Sequence, residues 1–422
     1  MRRLRILLIL PLYGGSLPVG RFCRDALSRI GHVVETFEGP DFHPTYEALR
    51  NLKVGEQRAE HLQNSYLQQV VSQAVLAKVE SFAPDLVLAM AQAPLSRQAL
   101  KRLRRDRVAT AMWFVEDFRL FTYWQAYAPF YDVFAVIQKE PFFSELRKVG
   151  QENVVYLPLA ADPEFHCPME LSPPERRKWG GDVTFMGAGY PNRRAAFRRL
   201  LGHDLRIFGT EWDGDPVLEK AVQLGGRRVS SEECVKIFNA SAINLNLHSS
   251  IKADRLVSGG DFVNPRTFEL ASCGAFQLVD QRSLLDEAFA ADEVARFGDF
   301  DELRKKIDYY LRHEDERRAM AQRARERVLT EHSYEHRMAD LLSFCERVLP
   351  GWPALSTDHA ARDELPDELA GELAGLLDSL GLSRSVSFAD LVWAVRNRQG
   401  ELSPLDTAIL FLDEWRKQYG LD

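Results

Sequence analysis

Asp182-Val183-Thr184-Phe185-Met186-Gly187-Ala188-Gly189-Tyr190-Pro191-Asn192-Arg193 reads as an apolar strand that breaks at a glycine turn and opens into a helix. It starts a β–α unit in mid-chain, after a stretch that has already alternated strands and helices. Upstream, apolar runs near 5–10, 33–37, 85–90, 108–115, 133–138 and 153–158 are separated by helical segments, as in a parallel, doubly wound sheet. Downstream, strand-like runs recur near 204–209, 241–247, 276–280 and 294–297. Between the halves, Ala160 to Trp179 carries Pro163, Pro168, Pro173 and Pro174 and reads as an interdomain linker. The expected fold class is α/β, with two Rossmann-like domains, 1–160 and 161–349, whose parallel sheets face across a cleft. After Pro350-Gly351-Trp352-Pro353 comes a helical extension, 350–422, with helices near 366–380, 388–399 and 404–419, the last two opened by Ser387 and Ser403-Pro404. Its apolar spacing suits packing on its own chain. Docking of a partner or a second copy through 354–422 is the alternative.

The most informative chemistry lies in Asn264-Pro265-Arg266-Thr267-Phe268-Glu269-Leu270-Ala271-Ser272-Cys273-Gly274-Ala275, a short helix followed by the apolar run Phe276-Gln277-Leu278-Val279-Asp280. The N–H groups and dipole at such a helix start favour an anion, Arg266 adds a fork of donors, and Glu269, one turn on, can accept from paired ribose hydroxyls. Asn264 and Thr267 sit at the same end and are counted with them as nucleotide-sugar-binding candidates. Read blandly, Pro at the first turn and Gly at the end are ordinary helix punctuation, and a helical Glu is usually solvated. Gly187, Gly189 and Arg193 form a second phosphate candidate at the mid-chain strand end, where the alternative is a tight turn; Lys252 and Arg255 are substitutes for either arginine, and Arg194 reads as surface. Before the helix, Ser258-Gly259-Gly260-Asp261 reads as a loop able to approach a ligand closely.

This sequence resembles the spore-maturation, CgeB-like glycosyltransferases. The likeness is carried by Arg266-Thr267-Phe268-Glu269 with Cys273-Gly274-Ala275 and a strand ending in Asp280. It continues in Phe300-Asp301-Glu302-Leu303, Ile307-Asp308-Tyr309-Tyr310-Leu311, Arg317-Arg318 and Glu331-His332-Ser333-Tyr334-Glu335-His336-Arg337, and upstream in Tyr190-Pro191-Asn192-Arg193 and Ile243-Asn244-Leu245-Asn246-Leu247-His248. It covers about residues 155 to 345 well, the first half only loosely, and the extension not at all. The resemblance implies a GT-B architecture with the ligand in the interdomain cleft, and a helix at 334–349 crossing back to the first domain. It also implies transfer of a sugar from a nucleotide-diphosphate sugar to a glycan, lipid-linked or protein acceptor. Retaining GT-B enzymes often carry two acidic residues with seven between them. Glu269 matches the second and Asp261 stands at the first, where the usual residue is Glu, so the stereochemical outcome stays open. Asp261, His248 and Asp117 are the catalytic candidates. Trp113 and Asp117 fall where family members often show Trp and Asp, and Asp117 is as well placed to cap the following helix as to meet an acceptor hydroxyl. Trp113, Gly14 and Gly15 are placed on the acceptor or sugar side; the bland reading of the glycines is a turn, and of His248 a satisfied structural histidine. A nucleotide-sugar epimerase, or a non-catalytic nucleotide-sugar-binding scaffold in glycan or coat assembly, is the alternative function.

No catalytic metal is expected, and no cofactor beyond the donor, because arginines and helix ends can stabilise the departing diphosphate. With 54 basic against 61 acidic residues and a net charge of −7, the chain does not read as a general nucleic-acid binder. Five scattered cysteines without a C-x-x-C pair suit a reducing compartment and no structural zinc. The start, Met1-Arg2-Arg3-Leu4-Arg5 and its apolar run, reads as a first strand and not a signal peptide, so a cytoplasmic location is expected. The basic run Arg97 to Arg107 reads as a solvated helix face, with peripheral contact to the inner face of a membrane as the alternative. Phe118, Phe121, Tyr123, Trp124, Tyr127, Phe130 and Tyr131 are dense enough to form core, yet sugars stack on exposed aromatic faces, so an acceptor subsite is expected there.

Overall fold

Two parallel sheets carry the chain in this computed structural model, which describes residues 2–250, 261–353, 366–383 and 386–419. The first contains β1 (Arg5–Ile9), β2 (Val33–Phe37), β3 (Leu86–Met90), β4 (Ala109–Phe114), β5 (Val133–Val136) and β6 (Val154–Tyr156), in the spatial order β2-β1-β3-β4-β5-β6. The second contains β7 (Val183–Met186), β8 (Leu205–Phe208), β9 (Ile243–Asn246), β10 (Gln277–Asp280) and β11 (Ala295–Phe297), in the order β11-β10-β9-β7-β8. Each sheet reverses direction once, between β1 and β3 and between β7 and β9. Such a reversal opens a crevice at the carboxyl ends of the strands, where open α/β sheets bind ligands.

Side-chain alternation explains the layering. In β1, Ile6 and Leu8 face one core and Leu7 and Ile9 the other, all fully buried, so helices must cover both faces. Each such side chain contributes roughly 1.5–3 kcal/mol of burial. The Tyr334–Val348 helix completes the first of these cores with Met338, Leu341, Leu342 and Cys345. Its Tyr334 ring stacks on Phe22 at 5.5 Å and meets the edge of Trp113 at 6.2 Å. At the same junction Arg29 binds Asp162 at 2.9 Å and also pairs with Glu335.

The stretch read as a linker is built differently. Ala160, Ala161, Asp162 and His166 are buried, Ala161 donates to His332 O at 3.0 Å, and Pro173–Trp179 is a helix opened by a Ser172/Glu175 capping box. Its prolines punctuate folded chain. In the extension, helices Asp367–Ser379, Phe388–Arg396 and Pro404–Tyr419 enclose a small core of Leu376, Leu377, Val392, Val395 and Ile409. Asp390 pairs with Arg5, and Trp393 meets Phe82 edge-on at 6.3 Å, so the extension sits at the amino ends of the first sheet's strands, opposite the cleft. Among the described residues, no helix is long and apolar enough to cross a membrane. The basic helix Arg97–Arg105 is laced to its surroundings: Arg102 pairs with Glu80, and Arg104 donates to Pro129 O at 3.0 Å.

Candidate active site

A cavity of about 360 Å³ lies between the two sheets. Gly15, Val19 and Phe22 of the Ser16–Arg29 helix and its lead-in form one wall; Gly187, Ala188, Gly209, Arg266 and Glu269 form the other. The second wall is made by strand ends. β7 runs into Gly187 and β8 into Gly209, and the two turns touch: a Cβ on Gly209, whose φ is +120°, would lie 2.5 Å from Gly187 O. A side chain there would push the turns apart and close the cavity.

The Pro265–Ser272 helix presents Arg266 and Glu269 to this space. Arg266 Nη1 donates to Met186 O at 2.9 Å, and its Nε lies 3.0 Å from Glu269 Oε2. Among the described residues Arg266 Nη2 and Glu269 Oε1 have no hydrogen-bond partner, so one donor and one acceptor remain for a ligand. Arg193 sits behind the turn and not in the cavity wall. Its Nε donates to Leu247 O and its Nη1 to Ala188 O, both at 2.9 Å, tying the end of β7 to the end of β9. Burial, reinforced by the charge of Arg266, pushes its pKa down to about 10, so it stays charged at neutral pH behind the turn.

Several sequence candidates have other duties. Asn264 caps the helix, its Oδ1 accepting from Thr267 N at 3.1 Å, while Thr267, fully buried, accepts from Asn246 Nδ2 at 2.9 Å. Both side chains are consumed by the framework and do not line the cavity. His248 does not face the cleft: it is buried, donates from Nδ1 to Asp280 at 2.6 Å and accepts the Asn264 amide on Nε2 at 2.9 Å. Burial, aided by Arg282 and Arg193, outweighs the pull of Asp280 and holds His248 below the ordinary histidine range. Burial alone would raise Asp280, but His248 and Arg282 hold its carboxyl below the usual carboxylate range. Trp113 is wholly buried, its Nε1 donating to Leu157 O at 3.0 Å, and cannot stack on an acceptor. Gly189 packs against Glu211 O and lies off the cavity wall, and Gly14, with φ +106°, makes the turn ahead of Gly15. Arg194 is half-buried and wraps the next loop, donating to Gly189 O at 2.8 Å. Lys252, Arg255 and the Ser258-Gly259-Gly260 loop lie outside the described residues.

Asp117 and Asp261, from different domains, converge. The buried amide of Gln138 donates to Asp261 Oδ1 at 2.7 Å and lies 3.3 Å from Asp117 Oδ1, while Arg119 Nη1 is 3.5 Å from Asp261. Asp117 Oδ1 also accepts from Arg119 N at 3.1 Å, capping a turn and not a helix. Among the described residues no three His, Cys, Asp or Glu side chains converge to hold a metal.

Two contributors were not legible as site residues. His166 lines the cavity; its Nδ1 accepts the Asp162 amide at 3.1 Å, which puts the ring hydrogen on Nε2, and burial keeps the ring below the ordinary histidine pKa. The start of the Ser231–Ala240 helix supplies Ser231 and Cys234. Its Ser230/Glu233 capping box was the available signal.

Comparison with known proteins follows the same outline. Residues 193–343 match a family described as glycosyl transferase-like. The spore protein CgeB of Bacillus subtilis (strain 168) is 24% identical over 269 residues, covering 58% of this chain and 78% of that protein. Among solved structures, a glycosyltransferase from Rickettsia africae ESF-5 superposes with a TM-score of 0.56 at 13% identity, covering 83% of this chain and 100% of that one. Anabaena Alr3699/HepE in complex with UDP-glucose gives 0.54 at 13% identity, covering 81% and 100%. At these identities the structures establish the fold, which is of GT-B type.

Proposed function

We propose that this chain, a CgeB-like glycosyltransferase, takes a sugar from a nucleotide-diphosphate sugar bound between its two sheets and passes it to a glycan, lipid-linked or protein acceptor in the cytoplasm, without a catalytic metal. The observation that carries the reading is the pairing of Arg266 with Glu269 on the cavity wall, each keeping one free polar position, beside the glycine turns at the ends of β7 and β8. Glu269 Oε1 is placed to accept from ribose. The diphosphate then lies along Gly187–Ala188 toward Arg266, where the charges of Arg266 and Arg193 stabilise the leaving group as the bond to the sugar breaks. His166 offers a neutral N–H donor from the floor of the same cavity. Binding of UDP-glucose by the structurally similar HepE supports a nucleotide-sugar donor. Asp261, held by Gln138 and Arg119, and Asp117 beside it are the carboxylates placed to orient the acceptor.

Thermal stabilisation by UDP, GDP, ADP, dTDP and their sugars, with magnesium or with EDTA, tests this directly, because a ligand that binds only the folded state raises its stability. A selective shift indifferent to EDTA is expected, together with release of the nucleoside diphosphate from the matching sugar. A shift that requires magnesium would overturn the metal-independent step. Absence of a shift with every nucleotide would overturn the donor site.

A further inference from the structure

Four consecutive carbonyls at the end of β7 are each taken by a side chain. Met186 O accepts from Arg266 Nη1 at 2.9 Å, Gly187 O from Trp212 Nε1 at 3.0 Å, Ala188 O from Arg193 Nη1 at 2.9 Å and Gly189 O from Arg194 Nε at 2.8 Å. The amides of the turn are spent on backbone with one exception. Gly187 N donates to Phe208 O, Gly189 N to Thr210 O and Tyr190 N to Ala188 O, whereas the Ala188 N–H has no partner among the described residues. Ala188 lines the interdomain cavity, and Trp212 reaches the turn from outside that wall. We propose that Trp212 is a positioning residue for the donor: by holding the Gly187 carbonyl it aims the Ala188 N–H into the cavity, where that amide donates to the diphosphate of the nucleotide sugar.

Three observations carry the assignment. The Gly187–Ala188 peptide is trans and planar, so its C=O and N–H point in opposite directions and fixing one fixes the other. Glycine has no Cβ to oppose rotation, so without the indole either end of this peptide can face the cavity. The two orientations act oppositely on a ligand, because an N–H attracts an anion and a C=O repels it. Next, the indole is held in place: Trp212 is 3% exposed, stacks on Phe197 at 5.8 Å and meets Phe185 edge-on at 6.0 Å. Finally, the chain bends to bring it there. Glu211 has φ +62°, a left-handed conformation uncommon in residues with a side chain and kept where surrounding contacts impose it, and its carbonyl accepts from Arg194. Gly189 leaves the room for this approach, since a Cβ on it would lie 2.0 Å from Glu211 O and 3.1 Å from the Trp212 ring. The donors on the three neighbouring carbonyls are cations, whereas Trp212 carries no charge. Its contribution is the direction of one peptide dipole, and removing it leaves the charge around the turn unchanged.

The inference rests on the donor reading, and its test separates the two. Labelling the full chain with 13C′-glycine and 15N-alanine leaves NMR signals from two amides, Ala188 and Ala275, because only these alanines follow a glycine. Ala275, whose N–H is bound to Leu270 O at 3.0 Å, is the internal control. UDP and pyrophosphate, or the diphosphate of whichever base is preferred, are expected to move the Ala188 proton downfield, and uridine to leave it in place. Trp212→Phe keeps an aromatic ring in the core and loses the donor. It is expected to abolish that shift and to weaken UDP and pyrophosphate about tenfold, the loss of one hydrogen bond to a charged group, with uridine affinity unchanged. Replacing Trp212 by benzothienylalanine, which has the outline of tryptophan without the N–H, gives the same result where phenylalanine destabilises the fold. An Ala188 proton unmoved while UDP binds, or equal weakening of UDP and uridine, would overturn the role of Trp212. Ala188 shifted by pyrophosphate with no nucleotide binding would instead overturn the donor reading and leave the amide site standing. No response to either UDP or pyrophosphate would overturn both.

Discussion

Replacing Glu269 by alanine separates the ribose from the diphosphate. The Glu269 side chain is 15% exposed, with Oε2 against Arg266 at 3.0 Å and Oε1 open to the cavity. A ribose hydroxyl donating to a partly buried carboxylate is a charge-assisted hydrogen bond, worth about 1.5–3 kcal/mol. A loss of about 2 kcal/mol weakens the nucleotide about thirtyfold. The same substitution releases Arg266 from its carboxylate, so attraction for the diphosphate stays or grows. Calorimetric titration of wild type and Glu269→Ala with UDP, 2′-deoxy-UDP and pyrophosphate, or the corresponding set for whichever base is preferred, isolates the two effects. The expected pattern is a large loss for the ribonucleotide, a smaller one for the deoxynucleotide, and none for pyrophosphate. A variant that binds UDP as tightly as wild type, or loses UDP and pyrophosphate equally, refutes the ribose contact.

Gly189→Ala places a Cβ 2.0 Å from Glu211 O and is expected to destabilise the fold by about 1–3 kcal/mol, whereas Gly15→Ala, with nothing within 4 Å, leaves the melting temperature near wild type. His248→Ala removes a hydrogen-bond donor from the buried Asp280, which keeps Arg282 at 3.0 Å, and is expected to cost about 1–3 kcal/mol in chemical denaturation, while the pH–rate profile of wild type shows no step attributable to this ring. His332 donates to Ala288 O at 2.8 Å and faces Arg337, and burial followed by that charge pushes its pKa from 6.5 down to about 4. The unfolded chain therefore takes up this proton first as pH falls: the contribution is complete above pH 6.5 and is lost progressively toward pH 4, about 3 kcal/mol over the window. His332→Gln should flatten that part of the stability–pH curve, and an unchanged slope in denaturant melts at pH 7, 6 and 5 would place the proton elsewhere.

The strands were legible because each is a short apolar run between helical segments, and β1 to β11 fall where those runs fall. The helix starts at Pro265 and Ser387 followed from proline and cap chemistry; in the structure both Asn264 and Ser387 accept from the amide three residues on. Burial was less legible. The prolines of 160–179 punctuate a packed segment and signal the same turns a free linker would, so composition could not separate the two. Residue type likewise misplaced His248, Asn264 and Thr267, since polar residues at a strand end or helix start serve equally as ligand contacts or as framework. What decides between them is where the neighbouring strand sits: Asn246 and Asp280, from β9 and β10, take up all three. Nothing in the spacing of Asp117, Gln138 and Asp261 announces that they meet, because the contact joins two domains.

Phe22 couples the parts of this architecture. Its ring belongs to the interdomain cavity wall and stacks on Tyr334, the first residue of the helix that returns from the second domain to the first. The same helix buries Met338, Leu341 and Leu342 in the first sheet's core, so it cannot shift without opening a void, a change that costs several kcal/mol. The contacts on the other side of the cleft are polar: Lys139 pairs with Glu287 in solvent, where ion pairs are worth about 1 kcal/mol or less, and the buried Gln138 amide makes a single hydrogen bond to the Asp261 carboxylate, worth about 1.5–3 kcal/mol. The strong, apolar connection thus lies on the Phe22 side and the weak, polar one at the mouth. Domain separation that admits a nucleotide sugar should therefore break the contacts to Asp261 and Glu287 first, leaving the Phe22–Tyr334 stack as the fixed edge about which the cleft opens.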